Sequence, residues 1–378
     1  MTYISRALDL PSILQNKSCF LFGPRQTGKS LLAKMTLPNA VVYDLLKSDL
    51  YLTLQQNPSR LREEITDNNS IVVIDEIQKI PALLDEVHYL IENVGVRFLM
   101  TGSSARKLRR GGVNLLGGRA RSRRLHPFVY RELDSFNLER ALQFGLIPTI
   151  YLSDSPREDL VSYTGDYLIE EIAQEGPTRN IGAFSRFLDV AAACNGQMLN
   201  FSKIASDAQV PTSTVREYFQ ILEDTLIATT LPAWKKSSVR KPITTAKFYF
   251  FDVGVARQLQ GRRDLPVRTP AFGEAFETYI FHELSAFIDY TADGQLNYWR
   301  SKSKFEVDFV LNDVTAIEVK AKQNVTPRDL KGIRALKEEN LLKNYLVVSL
   351  EERPRTIDDI HILPLNTFLK NLWDDQYS

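Results

Sequence analysis

Eight residues near the amino terminus have the types and the spacing of a loop that binds phosphate. They are Gly23-Pro24-Arg25-Gln26-Thr27-Gly28-Lys29-Ser30, and they match G-x-x-x-x-G-K-S/T at every fixed position. Glycines let the backbone wrap around a phosphate group, whose oxygens accept hydrogen bonds from N–H groups at a helix terminus. Lys29 supplies a positive charge for the β- and γ-phosphates, and the Ser30 hydroxyl is a ligand for Mg²⁺. The motif predicts a site for a nucleoside triphosphate with Mg²⁺, and a plain glycine-rich turn is the alternative.

Two acidic residues follow an apolar run further along the chain. Ile71-Val72-Val73-Ile74 leads directly into Asp75-Glu76. In α/β proteins the ligand site lies at the carboxyl ends of the strands, so both carboxylates are predicted to face the phosphates. Asp75 is expected to hold the Mg²⁺ shell, and Glu76 is expected to polarise the attacking water. The alternative is an acidic strand end at an exposed turn.

A third apolar run is followed by polar and then by basic residues. It ends in Met100-Thr101-Gly102-Ser103-Ser104, where Thr101 or Ser103 is predicted to sense the terminal phosphate, unless the segment is only a turn. Residues 97–131 contain ten Arg and Lys and no Asp or Glu. Arg119 is predicted to be a phosphate-sensing arginine in this segment. A strip that faces nucleic acid and a solvated basic loop stay open as alternatives.

These side chains come together only if a parallel sheet positions them. The runs at 18–22, 40–43, 71–74 and 97–100 are apolar on both faces and are separated by helix-length stretches. That pattern is typical of buried parallel strands with helical crossovers. It predicts an α/β domain over residues 1–135, with helices on both faces of the sheet, followed by a helical linker over 136–185.

A helix-turn-helix pattern comes next. Helical segments at 200–205 and 211–219 are separated by a short polar turn, and 227–231 is predicted to be a wing strand, which gives a winged-helix segment over 186–240. The second helix carries polar groups of the kind that contact phosphates and base edges: Thr212, Ser213, Thr214, Arg216 and Gln220. Residues 235–263 add eight basic side chains against one acidic one. A lid or packing module is the alternative to nucleic-acid binding.

The last segment, 241–378, is predicted to be an α+β domain with a second cluster of charged residues. A three-residue hairpin loop after residue 311 places Asp308 opposite Glu318, with Lys320 on the same face. Two carboxylates and an ammonium group can hold Mg²⁺ and orient a water for phosphodiester cleavage. Glu277 is expected to complete the site from the preceding helix, with Glu274 as the next candidate. The pattern resembles that of PD-(D/E)XK nucleases; an inactive nuclease fold that only binds, and a structural salt-bridge cluster, are the alternatives.

The order of these parts resembles prokaryotic AAA-type P-loop ATPases that carry a C-terminal domain of unknown function. The segments that carry the resemblance are 23–30, 75–76, 101–103, 118–119, 126–133, 247–254, 298–300, 306–309 and 317–320. The resemblance implies an ATPase core, a winged-helix segment and a restriction-endonuclease-like C-terminal domain. It also implies ATP as the nucleotide and Mg²⁺ as its metal ion.

Composition excludes several other classes of protein. The chain has 378 residues, 44% of them hydrophobic and 25% charged, which fits a globular protein of two or three domains. A net charge of +1 excludes a uniformly basic nucleic-acid coat protein. Two cysteines fit a reducing cytoplasm, and no apolar run approaches the roughly 20 residues of a membrane helix. The four histidines are scattered, and none has a neighbouring cysteine at the spacing of zinc ligands, so no zinc site is expected.

The sequence therefore predicts a cytoplasmic ATPase whose nucleotide state is coupled to a winged helix and a nuclease-like domain. DNA or another nucleic acid is the expected partner, and no membrane is. One alternative is an ATP-switched binding or regulatory protein with an inactive nuclease-like domain. Another is an interaction module in which nucleotide only stabilises the fold. Whether a monomer or a homo-oligomer acts stays open.

Overall fold

A computed structural model describes residues 3–66, 71–104, 106, 108, 116–167, 180–237, 239–291 and 293–377. The chain divides into two compact units. Unit 1 comprises Met1–Phe128 together with Asp224–Leu226, and unit 2 comprises Val129–Glu223 and Ile227–Ser378. Three residues late in the chain thus belong to the amino-terminal unit.

Unit 1 is built on a five-stranded sheet in which every strand pair is parallel. The strands are β1 (Ser18–Phe22), β2 (Val41–Asp44), β3 (Ile71–Asp75), β4 (Arg97–Gly102) and β5 (Ala120–Arg124). Their order is β2-β3-β4-β1-β5. The helices that flank the sheet are α1 (Leu10–Asn16), α2 (Lys29–Thr36), α3 (Ser48–Gln56), α4 (Arg60–Glu64) and α5 (Leu83–Asn93). The predicted α/β fold is confirmed for this unit.

Hydrophobic burial explains why these segments form the sheet. All five residues of β1 are buried, and β3 and β4 are buried from their second residue onward. Phe20, Ile74 and Phe98 are at most 1% exposed and belong to one core cluster. Because these strands bury both faces, continuous apolar runs encode them, as is typical of parallel sheets.

Unit 2 begins with helical structure. Its helices up to residue 224 are α6 (Leu138–Phe144), α7 (Pro148–Tyr151), α8 (Pro156–Ser162), α9 (Ile181–Ala193), α10 (Phe201–Ala208) and α11 (Thr212–Asp224). A three-stranded antiparallel sheet in the order β6-β8-β7 accompanies the last three. Its strands are β6 (Gln197–Met198), β7 (Ala228–Leu231) and β8 (Lys247–Phe250). The predicted domain boundary between 240 and 241 therefore separates β8 from the strands with which it pairs.

A six-stranded mixed sheet forms the rest of unit 2, in the order β13-β14-β12-β11-β10-β9. The strands are β9 (Leu296–Arg300), β10 (Glu306–Leu311), β11 (Thr315–Lys320), β12 (Asn344–Ser349), β13 (Arg355–Ile357) and β14 (Ile360–Pro364). The helices are α12 (Val253–Leu259), α13 (Pro270–Thr291), α14 (Lys331–Lys337) and α15 (Leu365–Trp373). Twelve of the 22 residues of α13 are buried, so this helix lies in the centre of the unit.

The segment between β7 and β8 lies along the edge strand β9. Ala233 and Tyr298 form a β-bridge, as do Pro242 and Ser301, and the Trp234 N–H donates to the Tyr298 carbonyl at 2.7 Å. The carboxylate of Glu339 accepts hydrogen bonds from backbone N–H groups of the same segment. We call residues 232–246 the connecting segment; it is hydrogen-bonded to the six-stranded sheet at several points.

Within the part of the chain that the structure describes, no helix combines the length and the apolar character needed to cross a bilayer.

Candidate functional site

The phosphate-binding loop, residues 23–30, connects β1 to α2 at the carboxyl edge of the unit 1 sheet. Gly28 has a φ of +93°, a left-handed conformation that favours glycine. A Cβ atom on Gly23 would lie 2.5 Å from the Leu125 carbonyl oxygen, so this position also requires glycine. Lys29 is 6% exposed, and its Nζ donates to the carbonyl oxygens of Gly23 at 2.7 Å and Pro24 at 3.0 Å. The ammonium group thus lies inside the curve of the loop.

The carboxyl end of β3 brings the predicted acidic pair to the same edge. Asp75 is buried and ends β3, and its Oδ1 accepts a hydrogen bond from the Thr101 hydroxyl. The same hydroxyl accepts from the Glu76 backbone N–H at 3.3 Å. Glu76 has a φ of 63° and a ψ of 46°, which turns the chain sharply after the strand. Thr101 therefore fixes the direction of both acidic residues rather than standing free.

Gln78 links Glu76 to the end of β4. Its Nε2 donates to Glu76 Oε2 and lies 3.3 Å from Ser103 Oγ. The side chain is 6% exposed, and a Cβ atom on Gly102 would lie 2.5 Å from its Oε1. Glycine at 102 therefore leaves the space that the Gln78 amide occupies. Sequence analysis missed Gln78; its place two residues after Glu76 was the available signal.

The loop and the acidic edge suit a Mg²⁺–triphosphate complex. The sheet order places β4 between β1 and β3, so the phosphate loop and Asp75 are two strands apart at one edge. Lys29 can exchange its two carbonyl partners for phosphate oxygens, which are stronger acceptors for an ammonium group. Ser30 is exposed in the first turn of α2, and Asp75 supplies carboxylate oxygen, which Mg²⁺ prefers. These residues fit the metal and the nucleotide.

The second predicted cluster lies on β10, β11 and α13 of unit 2. Leu311 pairs with Thr315, so the hairpin loop has three residues, as predicted. Asp308 Oδ2 accepts from the Val319 N–H at 2.8 Å, and Glu318 forms an ion pair with Lys320. Glu277 on α13 accepts a hydrogen bond from the Tyr249 hydroxyl at 2.6 Å.

Three charged residues that sequence analysis did not place at this cluster are part of it: Lys247, Arg300 and Glu306. Lys247 is the first residue of β8, and its Nζ lies 2.7 Å from Glu306 Oε1 and 3.3 Å from Glu277 Oε1. Glu306 also pairs with Arg300 at 2.7 Å. Lys247 had been counted only as one of several basic residues. Its pairing depends on how β8 packs against α13, which residue spacing does not reveal.

The charged residues of this cluster have pKa values that differ from those of exposed side chains, because the cluster is buried. Burial and the negative charge of Asp308 together raise the pKa of Glu318 to about 8, although Lys320 acts in the opposite direction. Burial and Asp308 also raise the pKa of Glu277. Burial lowers the pKa of Lys247, but the charges of Glu277, Asp308 and Glu306 outweigh it, so the net pKa is raised. The cluster therefore keeps the ammonium groups of Lys247 and Lys320 charged and disfavours ionisation of Glu277 and Glu318.

Comparison with known proteins bears on unit 1 first. Residues 15–134 match the family model described as an AAA domain. We call this region the AAA-type domain after that match. ATP binding and hydrolysis are supported for it by that match. Residues 135–265 and 272–368 match two models described only as domains of unknown function, DUF8612 and DUF4143.

The chain is also similar to proteins of two mycobacteria. Uncharacterized proteins of Mycobacterium tuberculosis and Mycobacterium bovis are each 25% identical to it over 360 residues, which is 92% of this chain and 80% of theirs. These relatives extend the similarity beyond the AAA-type domain to nearly the whole chain.

Two solved structures show weak likeness. One is a signal transduction ATPase with numerous domains from Pyrococcus horikoshii, with a tetratricopeptide repeat sensor, at 14% identity and a TM-score of 0.23. The match covers 77% of this chain, which spans about half (48%) of that structure. The other is Can2 from Sulfobacillus thermosulfidooxidans with cyclic tetra-adenylate, at 11% identity and a TM-score of 0.20, covering 96% of this chain and 98% of that one. Neither TM-score is high enough to carry an argument.

The structure places Arg119 away from the nucleotide site of the AAA-type domain. It immediately precedes β5, whose first residue, Ala120, pairs with Ser18 at the beginning of β1. Arg119 thus lies at the amino edge of the sheet, opposite the phosphate loop, and forms an ion pair with Glu92. The prediction of a phosphate-sensing arginine is not supported within one chain, because a parallel strand puts its two ends at opposite edges.

Other basic residues of 97–131 are spread over several environments. Lys107, Arg109 and Arg110 lie outside the described residues. Arg106 is buried and pairs with Asp224 at 2.9 Å, whereas Arg124 is exposed on the edge strand β5. Arg106 is therefore not available to an exposed basic strip, whereas Arg124 is.

Arg6 contacts the phosphate loop of the AAA-type domain and was not predicted. Its guanidinium donates to the Thr27 carbonyl oxygen at 2.6 Å and to the His126 carbonyl oxygen at 2.7 Å. It also lies over the Phe128 ring, 5.2 Å from the centroid. Arg6 joins the loop to the segment after β5, and no spacing rule in the sequence points to it.

Proposed function

We propose that this protein hydrolyses ATP with Mg²⁺ in unit 1 and that its nucleotide state controls binding of nucleic acid by unit 2. The observation that carries the proposal is the shared sheet edge, where the phosphate loop follows β1 and the pair Asp75-Glu76 follows β3, with β4 between these two strands. The match of residues 15–134 to the AAA domain model supports the choice of ATP.

Each side chain at the edge has a distinct task in hydrolysis. Lys29 neutralises charge on the β- and γ-phosphates, and Ser30 with Asp75 holds Mg²⁺, which supplies further charge neutralisation when bound. Glu76 polarises the attacking water as a general base. Gln78 orients the Glu76 carboxylate through its amide. Thr101 does the same for Asp75 through its hydroxyl.

A structural link supports the coupling. Residues 224–226 group with unit 1: the Ser104 hydroxyl donates to the Asp224 carbonyl oxygen at 3.1 Å, and Leu226 packs against the unit 1 core. Ser104 follows Ser103, which contacts Gln78. Because Asp224 is also the last residue of α11, we propose that a change at the end of β4 is passed to that helix through this hydrogen bond.

The surroundings of α11 support nucleic acid as the partner. Helices α9, α10 and α11 with the sheet order β6-β8-β7 agree with a winged-helix arrangement. Thr212, Ser213, Arg216 and Gln220 are exposed on α11. Arg216 lies 4.4 Å from the Phe201 ring centroid, which holds its guanidinium at the surface.

An exchange of Asp224 for asparagine tests the coupling. In the wild-type protein, ATP should change the affinity for a DNA duplex at least ~5-fold, the lower end of typical allosteric coupling. Asp224→Asn removes the ion pair with Arg106 and should reduce this ratio towards one, while ATP hydrolysis stays near its wild-type rate. Fluorescence anisotropy with and without ATP measures the ratio. Glu92→Gln, which removes the exposed pair with Arg119 in the same unit, is the matched control.

ATPase assays with and without single- and double-stranded DNA test the proposed function as a whole. We expect phosphate release without DNA and a change in its rate when DNA is added. A rate of phosphate release per protein chain that rises with protein concentration would indicate that an oligomer acts. No phosphate release under any of these conditions would overturn the proposal and favour an interaction module that only binds nucleotide.

Two candidates differ in the role of the nuclease-like domain of unit 2. In the first it cleaves the nucleic acid that unit 2 binds, and in the second it binds nucleic acid but does not cleave it. The pairing of Lys247 with Glu277 and Glu306 favours this candidate over an active nuclease.

A further inference from the structure

The ammonium group of Lys247 lies among carboxylates. The side chain is 4% exposed, and its Nζ contacts Glu306 and Glu277, with the Tyr298 ring centroid 5.3 Å away. A buried charge of this kind is stable only when it is paired. The carboxylates around it therefore have an internal cation as their partner.

The charges of the whole cluster nearly cancel. It contains four carboxylates, those of Glu277, Glu306, Asp308 and Glu318. It contains three cations, those of Lys247, Arg300 and Lys320. Only one negative charge is left over when every group is ionised, whereas divalent-ion sites normally supply several uncompensated carboxylate oxygens.

The geometry of the carboxylates agrees with this count. Among the residues that the structure describes, no group of three or more His, Cys, Asp or Glu side chains is placed so that it could hold a metal ion. The Asp308 carboxylate is engaged by the Val319 N–H, and the Glu318 carboxylate by Lys320. The site thus does not fit the Mg²⁺ that a PD-(D/E)XK nuclease would need.

A cavity of about 750 Å³ adjoins the cluster. Its size is within the range of pockets that hold small ligands. Three cations line it, those of Arg268, Lys320 and Lys322, against Glu277 as its acidic residue. Arg268 and Lys322 are both exposed, so their charged groups can reach a ligand that enters from solvent, although Lys322 also pairs with Asp329 at 2.5 Å.

We propose that the Lys247 ammonium replaces the divalent cation of this cluster and that the adjoining cavity binds a phosphate group of a nucleic-acid strand without metal and without cleaving it. Because Lys320 already compensates the carboxylates of the cluster, the charges that a phosphate entering the cavity meets are those of Arg268 and Lys322. Without a metal ion, no water beside the phosphate is activated for attack. The inference does not require ATP hydrolysis by unit 1.

The binding test uses the full-length protein, without nucleotide, and a 20-residue single-stranded DNA with a fluorescent label. Binding in excess EDTA should equal binding in Mg²⁺. The double variant Arg268→Ala, Lys322→Ala should reduce the slope of log affinity against log salt by about 1 for each cation removed. The control is Lys331→Ala, Arg353→Ala, which removes two exposed cations that do not line the cavity and should leave the slope near its wild-type value.

The metal test compares Mn²⁺ binding, by electron paramagnetic resonance, in the wild-type protein and in Asp308→Asn. We expect equal binding in the two, because the cluster holds no Mn²⁺. Lys247→Gln should add one Mn²⁺ site, and Asp308→Asn in that background should remove it. The comparison of wild type with Asp308→Asn stays decisive even if Lys247→Gln does not fold.

Several results would overturn the proposal. These are DNA binding that requires Mg²⁺, an unchanged salt slope in the cavity variant, a Mn²⁺ site that Asp308→Asn removes from the wild-type protein, and metal-dependent nicking of plasmid DNA that Asp308→Ala abolishes.

Inorganic phosphate separates the two sources of the ligand. Inorganic phosphate and unlabelled DNA are compared as competitors at equal concentrations of phosphate groups. If the two compete equally well, the cavity recognises free phosphate rather than a strand, which also counts against the proposal.

Discussion

Replacing Lys29 by alanine is expected to abolish ATP hydrolysis. Lys29 Nζ already lies inside the phosphate loop, bound to the Gly23 and Pro24 carbonyl oxygens, so it needs little movement to meet a phosphate. Removing a group that is preorganised for developing charge typically costs ~10²–10³-fold in rate, and here the ground-state contact with the nucleotide is lost as well. Phosphate release and calorimetric titration with ATP and Mg²⁺ measure the two effects.

Lys34→Ala is the matched control for this variant. Lys34 lies on the same helix, α2, and its side chain is exposed. Its loss should leave both nucleotide affinity and turnover close to wild type. Equal losses in the two variants would mean that helix stability, and not the loop ammonium, explains the effect; unchanged hydrolysis in Lys29→Ala would remove the basis of the proposed function.

Replacing Glu76 by glutamine is expected to separate binding from turnover. The amide keeps the size of the side chain but cannot accept a proton from water. The loss of a positioned base typically costs ~10²–10⁴-fold in rate. ATP affinity should change little, because Lys29 and the loop backbone bind the phosphates. Single-turnover hydrolysis and ATP titration of the same preparation check both expectations.

Asp85→Asn removes an exposed carboxylate from α5 of the same unit and is the control for Glu76→Gln. Gln78→Ala adds a sharper comparison. It keeps the base but removes the amide that orients it, so hydrolysis should fall by less than in Glu76→Gln. A native hydrolysis rate in Glu76→Gln would show that another group activates the water.

How far the sequence predicts unit 1 depends on burial. Strands β1, β3 and β4 were predicted from their apolar runs, since a strand that buries both faces has few polar positions. The edge strand β2 was also predicted, because Val41 and Val42 are apolar even though they are exposed. Strand β5, at the other edge, was not predicted: Ala120–Arg124 contains three arginines, because side chains there reach solvent and need not be apolar.

The residues of the candidate nucleotide site could be predicted where their function requires a fixed spacing along the chain. Lys29, Asp75 and Glu76 lie at strand ends, so their meeting follows from a parallel sheet. Gln78 and Arg6 bind through side-chain geometry after the chain has folded, and no periodicity marks them. The roles given to the predicted residues stay predictions.

The C-terminal cluster shows the same division. Counting residues across a hairpin places Asp308 opposite Glu318, because antiparallel pairing fixes that register. Lys247 reaches the cluster from another sheet and contacts Glu277, which lies 30 positions further along the chain. Tertiary packing of this kind decides whether a carboxylate cluster is open to a metal ion. Such packing cannot be predicted from the local sequence.

The connecting segment has a consequence for solubility. By lying along β9, it occupies an outer strand whose N–H and C=O groups would otherwise be open to a strand from another molecule. A protease cut within 232–246, or replacement of the segment by a short glycine-serine linker, would uncover that strand. Such a protein should aggregate during purification even though its ATP site is intact.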